Sequence, residues 1–232
     1  MSKCVDLDDV LFHGFDYANG KDRSATSLIK LQSVLESGYL YSRAMQLEKL
    51  SDKQELYEFF AEYNNPVNDW NWNGKEYISL CAKKSKIMPK YDSMSYKHYI
   101  KGDDGIGLIF PKGICNMSDT SRWKLMDSEY QIKDELPLSQ AVGVSCGLAS
   151  GKSVLEKLET LKMLGYSKEN VMQDIKNLFY EKQVENYNRI KEMLVNSGYN
   201  LPIISTIDGY EVEDLLNIIN NFNFANKDIL GM

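Results

Sequence analysis

The 232-residue chain predicts an α+β fold: a mixed core over residues 1–150 and a mainly helical extension over residues 151–232. Three observations predict it. Short apolar or alternating runs recur at Val10–Phe12, Tyr77–Cys81, Ile106–Phe110, Glu129–Lys133 and Ala141–Ser145, each bounded by turn residues. One segment between the first two runs repeats its apolar residues at helical spacing. After Gly151 the strand-like runs give way to long stretches of helical period.

In chain order, Val10-Leu11-Phe12 reads as a first strand ending at His13-Gly14. Asp16 to Ser24 is polar, with Asn19-Gly20 as a turn signal. Leu28, Leu31, Val34 and Leu35 predict a helix, with Ser24 or Thr26 to cap it and Gly38 to end it. Leu56, Phe59 and Phe60 suggest a second helix opened by Ser51-Asp52, and Asn64 to Gly74, with Trp70 and Trp72, reads as an ordered loop. The next strands are Tyr77–Cys81, Ile106–Phe110 stopped by Pro111, Glu129–Lys133, and a short buried one at Ala141–Ser145. Beyond Gly151, one amphipathic helix closes at Gly165 and another runs from near Ser167 to Asn196. Leu201–Ile207 is extended, with Pro202 arguing against a central strand. Val212–Ile219 is a last helix. Met163, Met172 and Met193 read as core.

Composition narrows the function classes. The net charge of −6 disfavours broad binding to a nucleic-acid backbone, and the run Lys83, Lys84, Lys86 reads as a solvated loop. Four cysteines without a CxxC pair, beside two histidines, give no zinc spacing, so no metal is expected. Cys81 and Cys146 lie in apolar runs and read as small buried hydrophobes, a usage that fits a reducing compartment. The first nine residues carry Asp6, Asp8 and Asp9 and no apolar stretch, so no signal peptide is expected. No 18-residue apolar run is present. The expectation is a soluble protein made in a cytoplasm, acting there or delivered into a target cell.

Three pieces carry candidate chemistry. The first is Leu11-Phe12-His13-Gly14, with a helix and then Gly38-Tyr39-Leu40-Tyr41-Ser42-Arg43. The second is Glu76-Tyr77-Ile78-Ser79-Leu80. The third is Ser128-Glu129-Tyr130-Gln131-Ile132, then Leu136-Pro137-Leu138 and Ala141–Val144. Their order resembles the ADP-ribosyltransferase family, whose split β-sandwich binds NAD+ in a cleft. The glutamate strand followed by a turn at Leu-Pro-Leu is similar to the DarT toxins and their relatives. The resemblance covers roughly residues 10 to 147.

The resemblance implies a transferase that cleaves NAD+ as co-substrate and passes ADP-ribose to an acceptor in DNA, RNA, protein or a small molecule. Glu129 would be the catalytic carboxylate, steadying positive charge on the nicotinamide ribose. His13 would hold the adenosine-side ribose or a phosphate oxygen, and Gly14 would let backbone approach the dinucleotide. Ser79 would bond the glutamate or the ribose. Arg43 would clamp the pyrophosphate. A tyrosine near His98, among Tyr91, Tyr96 and Tyr99, would stack on the nicotinamide ring.

The sequence departs from the family at Phe15, at Ile78-Ser79-Leu80, and in the order Glu129-Tyr130-Gln131. One branch places its glutamate second in such a triplet. With Gln131 in that slot, the chain would be an inactive NAD+-binding module docking partners on its helical extension. Spacing to Leu136-Pro137 favours Glu129, with Gln131 facing the substrate. A competing motif, Gly147-Leu148-Ala149-Ser150-Gly151-Lys152-Ser153, resembles a phosphate loop but has three residues where four are required between its glycines.

Overall fold

A computed structural model of the chain describes residues 5–15, 23–49, 77–86, 88–93, 95–100, 106–115, 129–147, 158–167, 169–170, 181–206 and 209–221. The elements are β1 (Val10–Gly14), α1 (Arg23–Ser37), β2 (Tyr39–Tyr41), α2 (Arg43–Lys49), β3 (Tyr77–Ala82), β4 (Gly107–Pro111), β5 (Glu129–Lys133), β6 (Glu135–Pro137), β7 (Gly143–Cys146), α3 (Glu181–Asn196), β8 (Ile203–Ser205) and α4 (Val212–Asn221). A π-helical turn spans Tyr96–Ile100. The chain is α+β.

Six strands form one sheet in the order β5-β3-β1-β4-β7-β8, and β2 pairs with β6 in a separate two-stranded sheet. All pairings are antiparallel except β7 with β8. Asp134 makes the passage from one sheet to the other. It sits at φ 62 between β5 and β6, a left-handed position that aspartate tolerates.

Strand alternation divides the large sheet into two unequal faces. On one face Leu11, Ile78, Leu80, Leu108, Phe110, Val144 and Ile203 join a large buried cluster. It is closed by Leu28, Leu31 and Leu35 of α1, Leu40 and Leu136 of the small sheet, and Tyr187, Ile190 and Leu194 of α3. On the other face Val10, Phe12, Cys81, Ile109 and Ile204 pack, among the described residues, with Leu7, Tyr96 and Ile100, and Val5 lies against them. The Tyr96 ring meets Phe12 edge-on at 5.1 Å, and its hydroxyl donates to the Thr206 carbonyl.

The five strand-like runs all form strands, within two residues at their ends. Pro111 closes β4 as its last residue, and Pro202 stands just before β8, an edge strand of the sheet. The segment after residue 150 contributes β8 to this same sheet and packs α3 against α1.

Several expectations need correction. Helix α1 begins at Arg23, upstream of both Ser24 and Thr26, so neither stands at its start. Gly38 ends it with φ +72, a conformation only glycine adopts without strain. Leu136 and Pro137, read as part of a turn, belong to β6, which pairs with β2 and sets Tyr39 opposite Pro137 and Leu40 opposite Leu136. Met163 is 80% exposed on the helical segment 158–163 and is not core, whereas Met193 packs against the large cluster. Met172, the Ser51–Phe60 helix, Trp70, Trp72 and the loop 16–22 lie outside the described residues.

Candidate functional site

The candidate site lies where β1, β3 and β5 run side by side. Their sequence positions are remote, but the sheet order makes them neighbours. Between β3 and β5, Ser79 stands opposite Gln131 and Cys81 opposite Glu129. Directly opposed residues share a face, as do residues two apart on one strand. Ser79, Glu129 and Gln131 therefore lie together on the face of Phe12 and Cys81.

Their contacts follow from that register. The Ser79 hydroxyl donates to Glu129 Oε1 at 2.6 Å, the short distance of a bond to a carboxylate. Gln131 Nε2 donates to the same oxygen at 3.3 Å. Two neutral donors thus bind one side of the carboxylate. Ser79 is exposed, and Glu129 and Gln131 are half-buried, so the group borders solvent.

His13 joins from the next strand by a different route. Its Nδ1 lies 2.9 Å from the Ser79 carbonyl oxygen. A carbonyl only accepts, so Nδ1 carries the proton, and a neutral ring then has its acceptor at Nε2. Alternation sends His13 toward the side of Leu11 and Phe15, and its ring meets Phe15 edge-on at 5.5 Å. The histidine is coupled to the carboxylate through the Ser79 residue, main chain on one side and hydroxyl on the other.

Gly14, half-buried, ends β1 opposite Gly107. A Cβ on Gly107 would stand 2.3 Å from the His13 carbonyl oxygen, so the backbones of β1 and β4 approach here as no side chain would permit. Gly107 carries the geometry of the His13-Gly14 strand end, and sequence reading passed over it. A glycine opening a buried strand was the available signal.

The remaining candidates are placed less directly. Arg43 opens α2 behind Ser42, whose amide donates to the Asp134 carbonyl at 2.7 Å; the Arg43 side chain lies outside the described residues. The same holds for the side chains of His98 and Tyr99, and for residues 148–153 of the phosphate-loop-like segment. Tyr96 is fully buried against Phe12, a core residue and not a stacking platform. Tyr91 is 59% exposed on the loop after β3. Of the basic run, Lys83 pairs with Asp8 at 3.8 Å and Lys84 with Asp92 at 2.9 Å.

Burial pushes the Cys146 thiol up to about 12 and the Cys115 thiol up to about 11, so both stay protonated and unreactive near neutrality. Among the described residues there is no cluster of three metal-binding side chains, and no helix long and apolar enough to cross a membrane.

Compared with family models, curated proteins and solved structures, the chain finds no match.

Proposed function

We propose that the chain is a mono-ADP-ribosyltransferase with the split β-sandwich of that family, using NAD+ as co-substrate and Glu129 as its catalytic carboxylate. The observation that supports this reading is the Ser79 hydroxyl at 2.6 Å from Glu129, on a strand that also accepts the His13 ring. Three residues selected from separate sequence pieces lie on adjoining strands and are joined by two hydrogen bonds.

In the proposed reaction the bond between the nicotinamide nitrogen and ribose C1′ breaks, and its electron pair leaves with neutral nicotinamide. Positive charge spreads over C1′ and the ring oxygen. A carboxylate beside that ribose stabilises this state more than the ground state, which is the condition for catalysis. An acceptor lone pair then bonds to C1′, and its proton passes to Glu129 or to solvent. Ser79 and Gln131 position the carboxylate. Gly14 admits the cofactor at the strand end, and His13 fixes the Ser79 main chain from the opposite face of the sheet.

A second reading is favoured by the register itself. Gln131, not Glu129, stands directly opposite Ser79. If the reacting ribose lies over that pair, it faces an amide, and the chain would bind NAD+ without turnover.

The test is release of nicotinamide from NAD+ labelled in the adenylate half, with transfer of label to lysate protein and nucleic acid. The transferase reading expects transfer by the native chain and a loss on the order of 100-fold in Glu129→Gln, with binding retained. Saturable NAD+ binding with no nicotinamide release supports the second reading. A native chain that neither binds nor cleaves NAD+ rejects both.

A further inference from the structure

Among the described residues the six-stranded sheet ends at β8 on one side and at β5 on the other. The two edges are finished differently. Strand β8 is three residues long and buried throughout, follows Pro202, and bridges Glu211 through Ile204. Strand β5 is five residues long, with Lys133 exposed and the other four half-buried. A strand at a sheet edge presents a row of main-chain donors and acceptors that a further strand can join. Asp134, at φ 62, ends that row by turning the chain into β6.

The sequence of β5 is complementary to itself. It reads Glu129-Tyr130-Gln131-Ile132-Lys133, with an acid and a base placed symmetrically about Gln131 and an apolar residue on each side between them. In antiparallel pairing about a two-fold axis at Gln131, residues equally far from Gln131 on opposite sides face each other. Glu129 of each copy then faces Lys133 of the other, and Tyr130 faces Ile132. Opposed residues share a face, so the charged pairs fall on the side of Phe12 and Cys81. Tyr130 and Ile132 already pack against the large cluster, and their pairs would carry it across the joint. Opposite charges and aromatic–β-branched pairs are favoured cross-strand combinations, and directly opposed like charges are disfavoured. Moving the axis by one residue would set Glu129 or Lys133 opposite Gln131 and leave the charges unmatched. A lysine on an edge strand ordinarily discourages pairing. Here the symmetric position of Glu129 answers it.

We propose that β5 is an interface for a second copy of this chain, paired antiparallel about Gln131 so that the two six-stranded sheets join into one. The partner's Lys133 then stands across from Glu129, whose Oε1 takes the Ser79 hydroxyl. Each copy thus brings an ammonium group beside the other's candidate site. The interface does not depend on the transferase reading. Five paired residues make a small joint, so the dimer forms and dissociates with concentration rather than standing permanently.

The test is sedimentation velocity of the full chain from roughly 10 μM to roughly 1 mM, beside Lys133→Glu, Glu129→Lys and an equimolar mixture of the two variants. The native chain should pass from monomer to dimer over that range. Each variant alone opposes like charges at both ends of the joint, and its dissociation constant should rise about 10-fold or more. The mixture restores Glu–Lys opposition at both ends and should dimerise as the native chain does. Cross-linking under a mild oxidant reads the register separately, and it decides the matter where a charge variant fails to fold. Gln131→Cys lies on the axis and should link two copies above the native background, whereas Lys133→Cys, roughly 14 Å from its counterpart, should not. A native chain monomeric throughout, a dimer indifferent to both charge variants, or a mixture that associates no better than its parts overturns the proposal. So does equal cross-linking at the two positions, or none at Gln131→Cys.

Discussion

The two faces of the six-stranded sheet are built to different ends. One carries a large cluster sealed by α1, α3 and the small sheet; the other carries a smaller cluster in which, among the described residues, Leu7, Tyr96 and Ile100 cover β1, β4, β8 and Cys81 of β3. Where the cover stops, polar residues take over from apolar ones at alternate positions: Ser79 follows the parity of Cys81, and Glu129 and Gln131 follow it on β5. Hydrophobic burial holds the fold from one side. The exposed part of the other side displays the hydrogen bonds from Ser79 and Gln131 to Glu129.

The sharpest way to break this contrast is to damage the thick face. Leu31→Ala removes a side chain of 0% exposure from the centre of the α1 contact. A cavity there is expected to cost about 2–5 kcal/mol, seen as a lower denaturation midpoint with unchanged slope. A cost below about 1 kcal/mol would show that α1 does not seal the sheet as described.

The thin face should respond less. Tyr96→Phe keeps the ring against Phe12 but removes the donor to the Thr206 carbonyl. Leaving that acceptor unpaired in the interior is expected to cost about 1–3 kcal/mol by chemical denaturation. No change would mean that the ring alone supplies the cover.

How far the sequence foretold this contrast depends on element length. Strands β1, β3, β4, β5 and β7 are four to six residues long, and their apolar or alternating residues stand against turn-forming neighbours, so their pattern is legible. Strands β2 and β6 are three residues long with one buried residue each, Leu40 and Leu136, and Pro137 lies inside β6, so no period could emerge. Helix α2, seven residues, is equally short. Met163 shows the opposite failure: its helical spacing is real, but spacing cannot say whether a neighbour covers that face, and it is 80% exposed. At the site, the residue types and parity of Ser79 and Glu129 were legible. The register that makes them diagonal neighbours, and sets Gln131 opposite Ser79, is decided by pairing of distant segments and was not. Gly107 owes its place beside the His13 carbonyl to cross-strand approach alone.

Alkaline pH sharpens the comparison from within the thick face. Cys146 belongs to the large cluster, and burial pushes its thiol up to about 12 from an ordinary 9. Between those values the unfolded chain gives up the proton and the folded chain keeps it. The unfolded state then binds fewer protons, so stability falls as pH rises from about 9 toward 12, by at most roughly 1.4 kcal/mol per pH unit. Tyrosines and lysines titrate in the same range, so the measurement is the difference between the native chain and Cys146→Ala in denaturant midpoints at pH 8 to 11. The native chain should lose more over that range. Parallel slopes would mean that the thiol reaches solvent.

The smallest effect on stability is expected at the centre of the site. Ser79 is exposed, so Ser79→Ala deletes a surface hydroxyl and strands no buried group; its cost should be below about 1 kcal/mol. The same change removes the 2.6 Å bond that fixes Glu129 Oε1 and leaves Gln131 at 3.3 Å as the donor described there. A carboxylate held by the weaker bond samples more rotamers. On the transferase reading, nicotinamide release should then drop on the order of 10-fold in kcat with little change in KM, because the Gly14 strand end is untouched. A stability loss as large as that of Leu31→Ala would show the Ser79–Glu129 bond to be a clamp for the edge strand β5. The two faces would then differ only in thickness, and the carboxylate would need no ligand to explain it.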